Sequence, residues 1–473
     1  MTMRSTSRKA PVYKAKLPPL PSKPDDMSWR DYLIMLLHVA AEIEHGLMVE
    51  YLYAAYSLGG PGAARHPDQV RRWRDAILTV AREEMGHLLT VQNVLLLVGG
   101  PVSFERQDFP WSSPFYPFEF RLEPLSLESL AKFVYAEMPK GLTRRVDLNV
   151  RRAVLKHVDR RRPTVGEIYD RIIKLVGDQR AIPDSMFQAD SFKHQATWDE
   201  WGRGYRPGTH QPHAKDVDTP PPHERKTRVI VAQMATRSEA VLALQDVAGQ
   251  GEAEHVQTGD KIEDSHFDRF AKIFRAYQKI LASDRHWSPS RLVPVNPYAG
   301  ARKDKPPSTT AITSKASRAW ASLFNIRYRM LLSLLTYTYR VPRDAPESAQ
   351  LRRAPMLARI FGEMYNMKAI AGILVRLPLR DPEQPERAGP PFQMPYTLTP
   401  PLPETNYWRM HLDLLDSSSE LATSLLKDPA LRLADAPADG ARFLQALRAA
   451  DRDSREWITK LLAGIDSSRR ARA

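Results

Sequence analysis

The stretch from Val80 to Gly100 constrains this chain more than any other, because it sets a carboxylate and an imidazole into an otherwise apolar helical pattern. Glu84 and His87 are three residues apart, a spacing that puts both on one face of an α-helix together with Ile77, Val80, Ala81, Leu88, Val91 and Leu95. An ionised carboxylate buried in such a seam is costly without a counter-charge. A metal cation is the leading candidate for that role.

Composition narrows which metal chemistry is open. The chain of 473 residues has no cysteine, which excludes disulfides, thiolate nucleophiles and cysteine-held zinc or iron-sulfur clusters. Any metal must be held by histidine and carboxylates. The net charge is +14, but arginine-rich patches such as Arg151-Arg152 and Arg160-Arg161-Arg162 come with no nucleic-acid-binding motif. They read as solvated surface, so no nucleic-acid partner is expected. No apolar run reaches the roughly 18 residues of a membrane span. Residues 1–26 are basic and proline-rich, without the apolar segment of a secretory signal, which gives a flexible arm and a cytoplasmic reading.

The proline-free run from Ser28 to about Leu58 repeats apolar residues at helical spacing and places Glu44 on a face with Leu37, Ala41, Met48 and Tyr51. His38, Glu42 and His45 form a competing set on the neighbouring face, and periodicity alone does not choose between them. A short connection through Gly59-Gly60-Pro61 leads to the second helix, about Asp68 to Val98. Two long helices joined so briefly lie antiparallel, which brings Glu44 and Glu84 to similar height.

Residues 101–225 form a long crossover insertion. Its aromatic, proline-rich segment Phe109–Phe120 reads as an ordered cover, Ser126 to Met138 as a short helix carrying Glu137, and Thr164 with Glu167 as a capping box. His210, His213 and His223 fall in a proline- and glycine-rich stretch and read as a solvated loop. A third helical pattern runs from Arg225 to about Gln250 and closes at Gly249-Gln-Gly-Glu252. A fourth, about Lys261 to Leu281, repeats the Glu-x-x-His spacing with Glu263 and His266, although Asp260 and Glu263 also fit a cap and its third residue. After a polar linker at 300–308, four more helical stretches make up a C-terminal part. The expected domains are the arm at 1–26, a bundle at 27–299 and a helical domain at 300–473.

Four long helices in two hairpins thus carry Glu44; Glu84 and His87; Glu252; and Glu263 and His266. Four carboxylates and two imidazoles are the ligand inventory of a ferritin-like di-metal bundle. Carboxylates can bridge and neutralise two cations, imidazoles suit iron, and open positions admit dioxygen.

Several segments together resemble one family: Glu44-His45, Glu83-Glu84-Met85-Gly86-His87, Val98-Gly-Gly-Pro101, Glu137-Met-Pro139, Gly166-Glu-Ile-Tyr169, Gln250-Gly-Glu252 and Ser265-His-Phe-Asp-Arg-Phe270. They are similar to the ferritin-like iminophenyl-pyruvate dimer synthases, a family that includes the C-terminal half of the violacein- and rebeccamycin-pathway imine-coupling enzymes. Asn325–Leu332, Gly389–Tyr396 and Trp408 extend the match over about residues 27–427. The resemblance implies an all-α, ferritin-like four-helix bundle with an elaborated crossover and a further helical domain. It favours Glu44 over Glu42, raises Glu252 to a third-helix ligand, and adds Glu137 and Glu167 as carboxylates in or beside the metal shell. The expected activity is that of a non-haem diiron oxidoreductase or oxygenase of secondary metabolism. It would act on an amino-acid-derived or aromatic small molecule with two iron ions, dioxygen as co-substrate and an external electron donor, as a monomer or homo-oligomer. The alternatives are a dimanganese, catalase-like enzyme and a non-catalytic helical partner in a biosynthetic complex.

Overall fold

Ser28 starts the first helix, α1 (Trp29–Ser57): its hydroxyl accepts the Asp31 amide at 3.1 Å, and the Asp31 carboxylate reaches back to it. The helix stops where Gly59 takes a φ of 101°, open to a glycine without strain. Pro67 then opens α2 (Pro67–Leu97), which packs antiparallel along α1. The computed structural model describes residues 22–470 apart from 110, 143, 160, 202–228, 253–255, 259–260, 347–352, 382–383, 429–430 and 432–437. His210, His213 and His223 therefore lie outside the described residues, as does most of the N-terminal arm.

The crossover contributes α3 (Leu127–Ala136), α4 (Arg145–Val154), α5 (Val165–Gly177) and the single turn α6 (Trp198–Trp201). The other hairpin is α7 (Arg237–Glu252) and α8 (His266–Ser283), linked through the antiparallel pair β1 (Val256–Thr258) and β2 (Lys261–Glu263). α3 packs on α8, and α5 packs on both α1 and α7, so two crossover helices join the four-helix arrangement. Beyond it, β3 (Pro297–Tyr298) pairs with β4 (Thr310–Ala311) before α9 (Lys315–Thr338), α10 (Arg353–Leu374), α11 (Glu404–Lys427) and α12 (Ala438–Arg470). The buried core is continuous from α1 to α12 and crosses residue 300 without a break. The fold is all-α.

Two sequence expectations need correction. The third helix begins at Arg237, twelve residues after Arg225, because Thr236 and Glu239 form a cap: the Glu239 carboxylate accepts the amides of Ala235 and Thr236 at 2.8 and 3.0 Å. The preceding Val229–Met234 is extended along α2. There Thr90 exchanges hydrogen bonds with Ile230 and Ala232, and Asn93 donates to the Ala232 carbonyl at 2.7 Å. Gly86 makes room for this strap, since a Cβ there would lie 2.5 Å from the Ile230 carbonyl oxygen. The fourth helix begins at His266 rather than Lys261. Ser265 caps it, accepting the Asp268 amide at 3.2 Å while Asp268 accepts the Ser265 amide, and this pair takes the place of Asp260 and Glu263.

Among the described residues, α1 is the helix long and apolar enough to cross a membrane by length and composition. Most of its apolar stretch, 67%, is buried inside the protein instead.

Candidate metal centre

The helix geometry brings five ligand-type side chains to one place. Glu44 comes from the middle of α1 and Glu84 with His87 from the middle of α2. Glu137 is the C-cap of α3, and His266 is the first residue of α8. All five are at most 2% exposed. Glu84 is central: one oxygen lies 2.8 Å from His87 Nδ1 and the other 2.9 Å from His266 Nδ1. Glu44 stands 3.6 Å from His87 Nδ1, and Glu137 stands 3.7 Å from His266 Nδ1. The two imidazoles stack with centroids 5.3 Å apart. Donor atoms of Glu84, His87 and His266 all fall within 4.8 Å of one another.

A surrounding layer holds these groups. His87 Nε2 meets Gln250 Oε1 at 2.9 Å, and His266 Nε2 meets Glu83 at 3.0 Å, with Arg269 donating to Glu83 at 2.6 Å. Nε2 of each ring is thus held from outside the cluster and Nδ1 faces the carboxylates, the orientation a metal-binding imidazole needs. Tyr169 donates to Glu44 at 2.5 Å and Tyr51 to Glu137 at 2.6 Å.

Electrostatics point the same way. Burial, reinforced by the charge of Glu84, pushes the Glu44 carboxyl up to about 7. Burial favours a neutral His87, but the charge of Glu84 and the contact with Glu44 outweigh it and push the ring up to about 10. His266 is likewise raised well above the usual histidine range, with Glu84 overcoming burial. The carboxylates therefore stabilise positive charge between them. Glu44 Oε2 is buried without a hydrogen-bond partner, and Glu84 Oε1 and His266 Nδ1 have only each other, at 2.9 Å, as expected of donors that await a cation. Oxygen and imidazole donors in this number fit iron or manganese.

The structure thus gathers the sequence candidates Glu44, Glu84, His87, His266 and Glu137. Glu167 is turned away, its carboxylate accepting the Thr164 amide at 3.1 Å in the cap of α5. Glu263 is not one helical turn before His266: it lies on β2, in register with Val256, and Glu252 is the last residue of α7. The side chains of Glu252 and Glu263 lie outside the described residues. The competing set is dispersed, with His38 on the Pro101 carbonyl, Glu42 on the Gln107 amide and His45 on the Tyr328 hydroxyl. Glu83 is 1% exposed, because the surrounding elements leave α2 buried on almost every side here.

Sequence reasoning assigned no role to Tyr51, Tyr169, Gln250 or Arg269. Tyr51 is seven residues after Glu44, which returns it to the same helix face. Tyr169 and Gln250 have no comparable spacing signal. The aromatic segment, expected as an ordered cover, lies against α1, where Tyr116 sits on Gly46, and among the described residues of 101–120 none lines the cavity at the centre.

Comparison with known proteins agrees with the fold. The model of the family described as Ferritin-like matches residues 37–275. The chain is 29% identical over 401 residues to dichlorochromopyrrolate synthase of Lentzea aerocolonigenes, covering 78% of this chain and 36% of that protein. It is 33% identical over 151 residues to 2-imino-3-(indol-3-yl)propanoate dimerase of Chromobacterium violaceum, covering 26% of this chain and 14% of that protein. The matched region therefore spans little more than a third of the first relative's length and far less of the second's. These relatives bear out the resemblance that the motifs carry. No solved structure matches.

Proposed function

This chain belongs to the ferritin-like family, and from that premise we propose that it is a non-haem diiron oxidoreductase or oxygenase, using dioxygen on an amino-acid-derived or aromatic small molecule in secondary metabolism. One observation carries the reading: Glu84 faces both imidazoles at 2.8 and 2.9 Å, with a further buried carboxylate beside each ring. Glu44 and His87 would hold one ion, Glu137 and His266 the other, and Glu84 would be shared. Bound iron would supply electrons to dioxygen and the capacity to oxidise a C–H or N–H bond.

The rest of the work falls to the chain's own groups. Gln250 and Glu83 fix the tautomer and tilt of the two rings, while Tyr169 and Tyr51 hold the outer carboxylates in place. Near-complete burial keeps bulk water away from a reactive centre. The names of the two relatives, a synthase and a dimerase, support a biosynthetic role.

Anaerobic loading with ferrous iron, followed by oxygen, tests the proposal. The expected result is about two irons per chain, in line with a two-metal carboxylate site, and an optical change on mixing. Uptake well below one iron per chain, with no optical change, overturns it. Peroxide disproportionation by the manganese-loaded protein alone would favour the catalase-like alternative. Unimpaired pathway function in a Glu84→Ala, His87→Ala double variant would favour the non-catalytic helical partner.

A further inference from the structure

The centre is not equally enclosed on all sides. Toward α3 and α8, Tyr51 lies between Phe133 and Phe270, with ring centroids at 4.7 and 4.8 Å. Glu83 and Arg269 close the far side of His266, and Gln250 closes the far side of His87. Toward α5 and α7 the packing gives way to a cavity. Its floor is Glu44, Glu84, His87 and Glu137, and its walls include Leu47, Val165, Tyr169, Val247, Ala248 and Gly251. Gly251 contributes to that space, since a Cβ there would stand 3.0 Å from a Glu137 oxygen.

The two phenols differ in the same sense. Tyr51 and Tyr169 each donate to an outer carboxylate, yet Tyr169 lines the cavity and Tyr51 does not. A phenolic O–H can rotate from one acceptor to another without changing its protonation. The walls beyond it are aliphatic, and the free space is on the order of one water molecule, so as folded it admits a small polar head.

We propose that small molecules reach the centre through the face between α5 and α7, and that the Tyr169 hydroxyl is the hydrogen-bond donor that anchors an acceptor-bearing head there. This rests on the diiron reading above and adds the direction of entry and an anchoring residue. The ligand class is a compact hydrogen-bond acceptor of a few atoms, anionic or neutral. Tyr51 takes no part in entry.

Azide, a small anionic acceptor, tests this on the iron-loaded, oxidised full-length protein through its charge-transfer absorption. Iron per chain is measured first in every variant. Tyr169→Phe is expected to retain its iron and to bind azide about tenfold more weakly, the loss of one hydrogen bond to a charged group. Ala248→Phe, which fills the wall without touching the floor, is expected to slow azide binding by about tenfold or more, the barrier of one obstructing side chain. Leu242→Ala, on the exposed side of α7, is expected to stay within about twofold of wild type, the scatter of a surface change. Azide binding that is equal in wild type, Tyr169→Phe and Ala248→Phe overturns the proposal, as does an equal loss in Leu242→Ala. A wild-type protein that takes up no iron overturns the diiron reading and this proposal together, whereas iron uptake with equal azide binding overturns only this one.

Discussion

Four helices converge on a buried charged cluster twice in this molecule, and the two clusters are neutralised in different ways. In the C-terminal part, Arg327 of α9 meets Glu363 of α10 at 3.1 Å, Asp451 of α12 at 2.8 Å and the Ser418 hydroxyl of α11. The guanidinium is the built-in cation, and each helix supplies one partner. In the N-terminal part, α1, α2, α3 and α8 supply carboxylates and imidazoles but no guanidinium among the five converging groups. Arg269 donates to Glu83 and to the Asp264 carbonyl at the edge. A cluster with its own cation is neutralised as folded. One that leaves Glu44 Oε2 without a hydrogen-bond partner, and sets Glu84 Oε1 and His266 Nδ1 only against each other, fits a cation that arrives later.

The comparison can be broken most decisively at Glu84. Glu84→Ala removes the group shared by both halves of the centre, and iron uptake should fall from about two per chain to below one, a loss that metal analysis reads directly. The fold should survive, because the two imidazoles it leaves behind can shed a proton and stay neutral, which a guanidinium's partners in the other cluster cannot do at neutral pH. Arg327→Ala should do the opposite. It strands two buried acids and should cost about 3–5 kcal/mol in denaturant unfolding, while iron per chain stays unchanged in the fraction that remains folded. If either substitution behaves like the other, the distinction between the clusters fails.

A smaller effect separates the layers of the centre itself. Tyr51→Phe deletes one hydrogen bond to Glu137 and should cost about 1 kcal/mol of stability without abolishing iron uptake. Calorimetry alongside metal analysis checks both halves of that statement.

The last contrast is in pH. In the metal-free protein the folded-state value of His87, about 10, lies above its ordinary 6.5, so its contribution to stability is complete below about 6.5 and is lost as pH rises through 10. Glu44 is raised from 4.5 to about 7 and has the same sign over a lower window. The contribution of these two groups to the stability of the metal-free protein should therefore fall from about pH 4.5 upward, first through Glu44 and then through His87. Iron affinity should rise over the same range, because the ligands must shed protons to bind. A metal-free protein that gains stability with rising pH would show that these groups are not coupled as described.

The helical hairpin α1–α2, and the meeting of Glu44 with Glu84 and His87, were legible because long amphipathic helices with a short connection leave little topological choice. Glu137 and His266 were legible as residues but not as geometry. A C-cap position and a first-turn position depend on where a helix ends, and local capping decided both: Ser265 with Asp268 displaced Asp260 with Glu263, and Thr236 with Glu239 shortened α7. The burial of Glu83 was not legible, because a hydrophobic face can be read from spacing only when the helix has a solvent side, and α2 has almost none at that level. The Arg327 cluster left no trace in the spacing, since its four members come from four separate helices and meet only in the folded protein.

The central claim is that Glu84 joins two metal ions rather than serving one. Electron paramagnetic resonance of the oxygen-exposed, iron-loaded protein tests this most directly when combined with an iron count. Two ferric ions sharing a carboxylate should be spin-coupled, giving about two irons per chain and almost no resonance signal at low temperature. A strong signal from isolated high-spin ferric iron at one equivalent or less would contradict the account.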